Sequence, residues 1–158
     1  MSKTSVWIIV VSFCLIALAP LAQAQRKAGL WEVTSSMSMS GMPAMSSMGP
    51  HTQQVCVSQQ MIDKYGGPFT NPQRGQCQVT NVVLTATGVT ANLTCSGQMN
   101  MTGTLQTTFV DANTTKTTMN LNMSMPNGQA MTMTMNATSA YKGADCGSVQ
   151  PLPMPPSN

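Results

Sequence analysis

The chain has 158 residues, with seven lysines and arginines against four acids, and its formal net charge is +3. A charge this small, without any run of basic residues, argues against a binding surface for nucleic acid or for an anionic membrane. A single histidine and scattered acids also argue against a zinc site and against the acid and base groups of a hydrolase, so we expect a protein that is not an enzyme.

The first 24 residues have the parts of a secretory signal peptide. Lys3 precedes an apolar segment over residues 7–18, and Ala22-Gln23-Ala24 is a small-residue cleavage site. The apolar segment is too short to span a bilayer. We therefore expect an exported chain, cleaved after Ala24, with no transmembrane segment in its mature part.

The remaining 158 − 24 = 134 residues are the size of one domain, which we place at residues 25–150. Apolar residues alternate with Thr, Ser and Asn, a pattern that favours strands over helices. We predict about seven strands and one short helix, Gln59–Tyr65, between Ser58 and Gly66. The predicted fold is all-β: an antiparallel up-and-down meander curled into a half-barrel, a barrel or a sandwich. Residues 151–158 form a proline-rich tail that we expect to be disordered.

The domain begins with a predicted half-buried strand around Trp31. Trp31 and Val33 share one side of this strand with Met37 and Met39, and Trp31 is expected to anchor the core. Residues 41–50 have no helix or strand period, so we expect a mobile, methionine-rich loop.

Pro126-Asn127-Gly128 is predicted to be a three-residue hairpin loop, with Gly128 in the left-handed position. This loop sets the apolar residues of two strands against each other: Met119 with Met135, Leu121 with Met133, and Met123 with Met131. The preceding strand, with Gly103 as a candidate bulge, extends this methionine-rich face to three strands when Leu105 lies opposite Met119 and Met101 opposite Met123.

Four cysteines remain after cleavage, which in an exported chain predicts two disulfides with three possible pairings. Placing Cys77 opposite Cys95 in a hairpin also opposes two apolar pairs, Val79 with Leu93 and Val83 with Val89. We therefore expect a Cys77–Cys95 bridge and, by elimination, a Cys56–Cys146 bridge.

Several motifs stand in a characteristic order: Gly29-Leu30-Trp31-Glu32, Val55-Cys56-Val57-Ser58, Cys77, Thr94-Cys95-Ser96-Gly97 and Tyr141-x-Gly143-x-Asp145-Cys146. On these motifs the chain resembles, over roughly residues 27–147, an exported proteobacterial family catalogued as domain of unknown function 3617. The resemblance implies a periplasmic location, no established activity, and a scaffold role for Trp31 and the four cysteines. Methionine is denser here than the family pattern leads us to expect.

Soft-metal binding is the leading functional hypothesis, because thioether sulfur favours Cu(I) and Ag(I). The candidate ligands form a loop group, Met42, Met45 and Met48 with the nearby His51, and a sheet group, Met123, Met125, Met131 and Met133. Methionine also fills irregular cores, so packing is the competing interpretation.

Two alternative functions are open. Gly29-x-Trp31 on a first strand is reminiscent of the lipocalin opening, and a curled sheet lined by methionine could carry an apolar or lipid-like ligand. That function predicts an internal cavity. A methionine face left uncovered would instead be a large apolar patch, which is typical of a surface that binds another protein, here an envelope protein.

Overall fold

A computed structural model describes residues 26–40, 47–69, 77–96, 100–124 and 128–155, with the backbone alone for residues 47 and 48. These ranges form β1 (Gly29–Ser40), β2 (Ser47–Val57), α1 (Gln59–Tyr65), β3 (Cys77–Leu84), β4 (Gly88–Cys95), β5 (Asn100–Phe109), β6 (Thr114–Ser124) and β7 (Ala130–Gly143). All the strands belong to one sheet with the order β2-β1-β7-β6-β5-β4-β3. The predicted all-β class is confirmed as a curled meander that does not close into a barrel.

The sheet is open between its two edge strands, β2 and β3. Each of the six neighbouring pairs is antiparallel, so the first and last of seven strands run in the same direction. Strands that run in the same direction need a crossover connection. The connection from β2 to β3 contains α1. Its apolar side, Met61, Ile62 and Tyr65, is buried.

The helix has the ends that its sequence predicts. Ser58 lies in an extended conformation at the N-cap, and its Oγ accepts a hydrogen bond from the Met61 N–H at 3.3 Å. Gly66 ends the helix in the left-handed conformation and donates its N–H to the Ile62 carbonyl oxygen.

One face of the sheet is buried and the other is exposed. Trp31 and Leu121 are fully buried on the inner face, whereas Asn120 and Asn122 alternate with Leu121 and are exposed. The Trp31 Nε1 donates to the Lys27 carbonyl oxygen at 3.0 Å, so this core anchor is also satisfied as a polar group. The inner face therefore supplies the core.

The predicted registers of β5, β6 and β7 are confirmed. Met119 faces Met135, Leu121 faces Met133 and Met123 faces Met131, while Leu105 faces Met119 and Met101 faces Met123. Gly128 has a φ of 81°, the left-handed conformation expected of it. The loop residues Pro126 and Asn127 lie outside the described residues.

The predicted register of β3 and β4 is correct in part. Val79 faces Leu93 as expected, but Val83 faces Thr90, and Leu84 takes the place opposite Val89. The cause is a bulge with one extra residue between Thr80 and Val83, where Asn81 has a φ of 51°. Asparagine tolerates this left-handed conformation better than most residues do.

Gly103 is not a bulge, which corrects the expectation for β5. It pairs regularly with Leu121, and its neighbours pair with Asn120 and Asn122. A Cβ at this position would collide with the backbone carbonyl oxygen of Asn120. Gly103 therefore permits close approach of two strands in an unbroken ladder.

Both expected disulfides are formed. Cys77 and Cys95 join directly paired positions of β3 and β4, and Cys56 on β2 is bonded to Cys146 after β7.

Two segments expected to be irregular are ordered in part. The Leu152 N–H donates to the Cys56 carbonyl oxygen at 2.8 Å, Pro151 forms a bridge with Cys56, and Pro155 is buried, so residues 151–155 differ from the expected disordered tail. Residues 47–50 of the expected loop belong to β2. Residues 41–46 and 156–158 lie outside the described residues, as does the predicted signal peptide.

Candidate functional site

Eight methionines lie together on the inner face of four adjacent strands, β1, β7, β6 and β5. We call them the methionine cluster: Met37, Met39, Met101, Met119, Met123, Met131, Met133 and Met135. They occupy the end of the sheet at which β1 finishes and β7 begins. The cluster is a direct result of strand alternation, because each of its methionines is two residues from another apolar or small residue on the same strand.

The cluster is arranged in three rows that run across the strands. Met131, Met123 and Met101 form the first row, which continues into Cys95 and Cys77. Met39 and Met133 form the second row with Leu121, and Met37, Met135 and Met119 form the third. Directly opposed residues of antiparallel strands have Cβ atoms about 4.5–5.5 Å apart, so the thioethers of each row are near neighbours.

The cluster has a buried part and an accessible part. Met119 is 1% exposed and Met101 is 3% exposed, so their side chains are core. Met37, Met39 and Met135 are half-buried and pack against the edge of this core. Solvent therefore reaches the cluster through the second and third rows.

The predicted sheet group is partly brought together. Met123, Met131 and Met133 are all in the cluster, where each is 6–9% exposed. Met48, from the predicted loop group, belongs to β2, and its backbone lies opposite Met37 of β1. His51 is exposed and lies opposite Ser35, and no described metal-binding group includes it. Met42, Met45 and Met125 lie outside the described residues.

Three accessible methionines, Met37, Met39 and Met135, were not among the predicted site residues. Their signal was present, because Met37 and Met39 alternate in phase with Trp31. What sequence reasoning missed is the pairing of β1 with β7, which sets Met39 against Met133 across more than ninety positions of the chain.

The electrostatics of this end of the sheet are simple. The residues opposed in the three rows carry no ionisable side chain. Within the described ranges the single ion pair joins Glu32 to Lys142 at 2.8 Å, near the other end of β1 and β7. The same ranges contain no group of three or more His, Cys, Asp or Glu residues that could hold a metal ion. Among the described residues of the three rows, thioether sulfur is thus the side-chain ligand for a soft ion.

A small cavity lies on the inner face beside the methionine cluster. This cavity between Phe69, Met119 and Met135 has a volume of about 10 Å³, which is near the size of one water molecule. Phe69 stacks on Tyr65 at 4.9 Å between ring centroids, so the segment after α1 covers this part of the sheet. The cavity between Phe69, Met119 and Met135 is too small for a lipid-like ligand.

A family model described as "Protein of unknown function (DUF3617)" matches residues 26–146. The chain belongs to this family. The DUF3617 match contains Trp31, the whole methionine cluster and the four cysteines of the two disulfides. No curated protein and no solved structure matches the chain. In the part of the chain that the structure describes, no helix is long and apolar enough to cross a membrane.

Proposed function

We propose that this chain is an exported, periplasmic binding protein without catalytic activity, whose methionine cluster binds Cu(I) or Ag(I). The observation that carries the proposal is the collection of eight thioethers on one end of one sheet face. A core needs apolar volume, and leucine or isoleucine can also supply it. A soft monovalent ion favours sulfur ligands, so the sulfur of these methionines is the feature that distinguishes a metal site from a core.

The best candidate ligand set is a square of four methionines on β1 and β7. Met37 faces Met135, and Met39 faces Met133 in the next row. Opposed Cβ atoms are about 5 Å apart and successive rows about 7 Å apart. Because methionine has three rotatable side-chain bonds, three or four of these sulfurs can converge on one ion.

Accessibility supports the same four residues. Met37, Met39 and Met135 are half-buried, so an ion can reach their sulfurs without opening the core. Met133 is 7% exposed and would form the floor of the site. The rows contain no carboxylate or imidazole, so hard divalent ions find no ligand of the kind they prefer.

The redox chemistry of the chain supports thioether ligands. All four cysteines of the described residues are bonded in disulfides, which form and persist in oxidising compartments. The described cysteines of this chain therefore offer no thiolate to a soft ion, and methionine is the sulfur ligand that remains. The signal-like first 24 residues agree with export.

The test is an anaerobic Cu(I) competition titration of the oxidised chain, residues 25–158, against a chromogenic Cu(I) chelator. The variant Met37→Leu/Met39→Leu/Met135→Leu keeps the volume and removes three sulfurs, and each such change costs less than about 1.5 kcal/mol of stability. The matched control is Met61→Leu/Met154→Leu, which removes sulfur from α1 and from the C-terminal segment. Thermal unfolding of each variant verifies that it is folded.

We expect one ion to bind to the parent chain and to the control, and the triple variant to lose binding. A parent chain that does not compete with the chelator, or a triple variant with unchanged affinity, would refute the proposal. A separate variant, Met42→Leu/Met45→Leu/Met48→Leu, measures the contribution of the loop group. Loss of binding in that variant alone would move the site from the square to the loop.

A further inference from the structure

A large cleft lies at the end of the sheet opposite the methionine cluster, and we call it the cationic cleft. It is bounded by residues 26–28 before β1, by α1, by the turn between β3 and β4, and by Tyr141 on β7, and its volume is about 940 Å³. Clefts that bind small molecules in proteins are commonly about 300–1,000 Å³. The open edge between β2 and β3 thus leaves a space of ligand size that α1 does not fill.

Two cations line this cleft, and neither forms an ion pair with a described acid. The Arg26 guanidinium lies over the Phe109 ring, with its Cζ 3.4 Å from the ring centroid, and Lys27 Nζ is 5.4 Å from the centroid of Tyr141. The single ion pair of the described residues involves neither of them. Asp63, the acid in the cleft wall, accepts a hydrogen bond from the Gln59 amide at 2.8 Å.

Arg26 is the less satisfied of the two cations. Its Nε is buried and has no acceptor among the residues that the structure describes, and burial lowers the pKa of its guanidinium. A buried donor without an acceptor destabilises the fold, and the effect is larger for a charged donor. An anion beside this guanidinium would offset the cost of burying its charge.

Part of the cleft wall is apolar, beside the polar residues Gln59, Asp63 and Thr85. Ile62 from α1 and Leu84 from the end of β3 line it, and Leu84 is 40% exposed. A ligand with a nonpolar body would cover this surface while its charged group met the two cations.

We propose that the cationic cleft binds a small amphiphilic anion, with its carboxylate or phosphate head at Arg26 and Lys27 and its nonpolar body against Ile62 and Leu84. This site is separate from the methionine cluster in residues and in ligand chemistry. Its test therefore stands whether or not the chain binds Cu(I).

The test uses 1-anilinonaphthalene-8-sulfonate, a fluorescent amphiphilic anion, as the probe on the folded, oxidised chain. Decanoate and decyl phosphate serve as competitors, and decyltrimethylammonium is the competitor of opposite charge. Three variants alter the cleft: Arg26→Gln, Lys27→Gln and Leu84→Glu. Lys116→Gln is the matched control, since it removes an exposed cation from β6 outside the cleft.

We expect saturable binding of one probe molecule and its displacement by at least one of the two anionic competitors. Loss of one charged hydrogen bond weakens binding about tenfold or more, so Arg26→Gln and Lys27→Gln should each lose about tenfold in affinity for the probe. Leu84→Glu should lose about as much, because it places a carboxylate against the bound anion. Lys116→Gln should lose little. Displacement by decanoate alone identifies a carboxylate ligand, and displacement by decyl phosphate alone identifies a phosphate ester.

Two results would overturn the proposal. One is the absence of saturable probe binding, or displacement by decyltrimethylammonium as effective as displacement by the anions. The other is an affinity for the probe in Leu84→Glu and Lys27→Gln that equals the affinity of the Lys116→Gln control. Because Leu84 and Lys27 are exposed, these two variants keep the test valid even if Arg26→Gln fails to fold.

Discussion

The two disulfides should contribute unequally to stability, because they close loops of very different length. Cys56 and Cys146 are separated by 90 positions, and Cys77 and Cys95 by 18. A crosslink stabilises the fold mainly by restricting the unfolded chain, and the effect grows with the logarithm of the loop length.

The chain-entropy relation gives the size of each effect. At 25 °C it yields about 4.6 kcal/mol for the 90-residue separation and about 3.2 kcal/mol for the 18-residue separation. The difference of about 1.4 kcal/mol is a tenfold change in the folding equilibrium constant. Each value is also a large part of the roughly 5–15 kcal/mol by which a typical domain is stable.

Two variants with one disulfide each separate these contributions. Cys77→Ala/Cys95→Ala retains the long-range bridge, and Cys56→Ala/Cys146→Ala retains the local one. Urea unfolding of each variant, oxidised and then reduced, measures its bridge in an unchanged sequence. This design cancels the packing lost by the substitutions themselves, which matters because Cys77 and Cys95 are buried.

The long-range bridge should give the larger difference between oxidised and reduced protein. Equal differences, or a larger one for Cys77–Cys95, would refute the reasoning. Such a result would mean that native contacts around the sulfurs, and not the entropy of the unfolded chain, determine what the bridges contribute.

Two further predictions concern packing within the sheet. Gly103→Ala should lower the free energy of unfolding by about 1–3 kcal/mol, because the added Cβ meets the Asn120 carbonyl oxygen; Gly143→Ala, which meets nothing within 4 Å, is its control in urea unfolding. Met119→Ala should cost about 2–5 kcal/mol, because Met119 is 1% exposed, whereas Met119→Leu should cost less than about 1.5 kcal/mol in the same assay. Equal effects within either pair would contradict the packing described here.

Much of the sheet was predictable because its hairpins are local. The loop predicted at Pro126-Asn127-Gly128 implies one register for β6 and β7, and the strands have that register, with Gly128 in the left-handed conformation. The same reasoning paired Cys77 with Cys95 and Val79 with Leu93. It failed at Asn81, where a bulge shifts the register, because a side chain that tolerates a left-handed conformation does not require one.

The candidate site was less predictable because it depends on contacts between distant parts of the chain. Met133 belongs to a hairpin that the sequence defines, and it was identified. Met39 lies beside it only because β1 pairs with β7. The cationic cleft gave no signal at all, since Arg26, Ile62 and Leu84 come together only when the sheet curls.

The pairing of β1 with β7 has a consequence for the order of folding. A chain that emerges from its N-terminus presents β1 first and β7 last, so β1 has only β2 as a partner until the final strand appears. The β3 to β7 meander can form from neighbours alone, and Cys77 meets Cys95 early. Cys56, by contrast, emerges well before Cys146 and meets two incorrect cysteines first. The correct bridge can form only after Cys146, which follows β7, has emerged, so the Cys56–Cys146 disulfide is the later of the two to become possible.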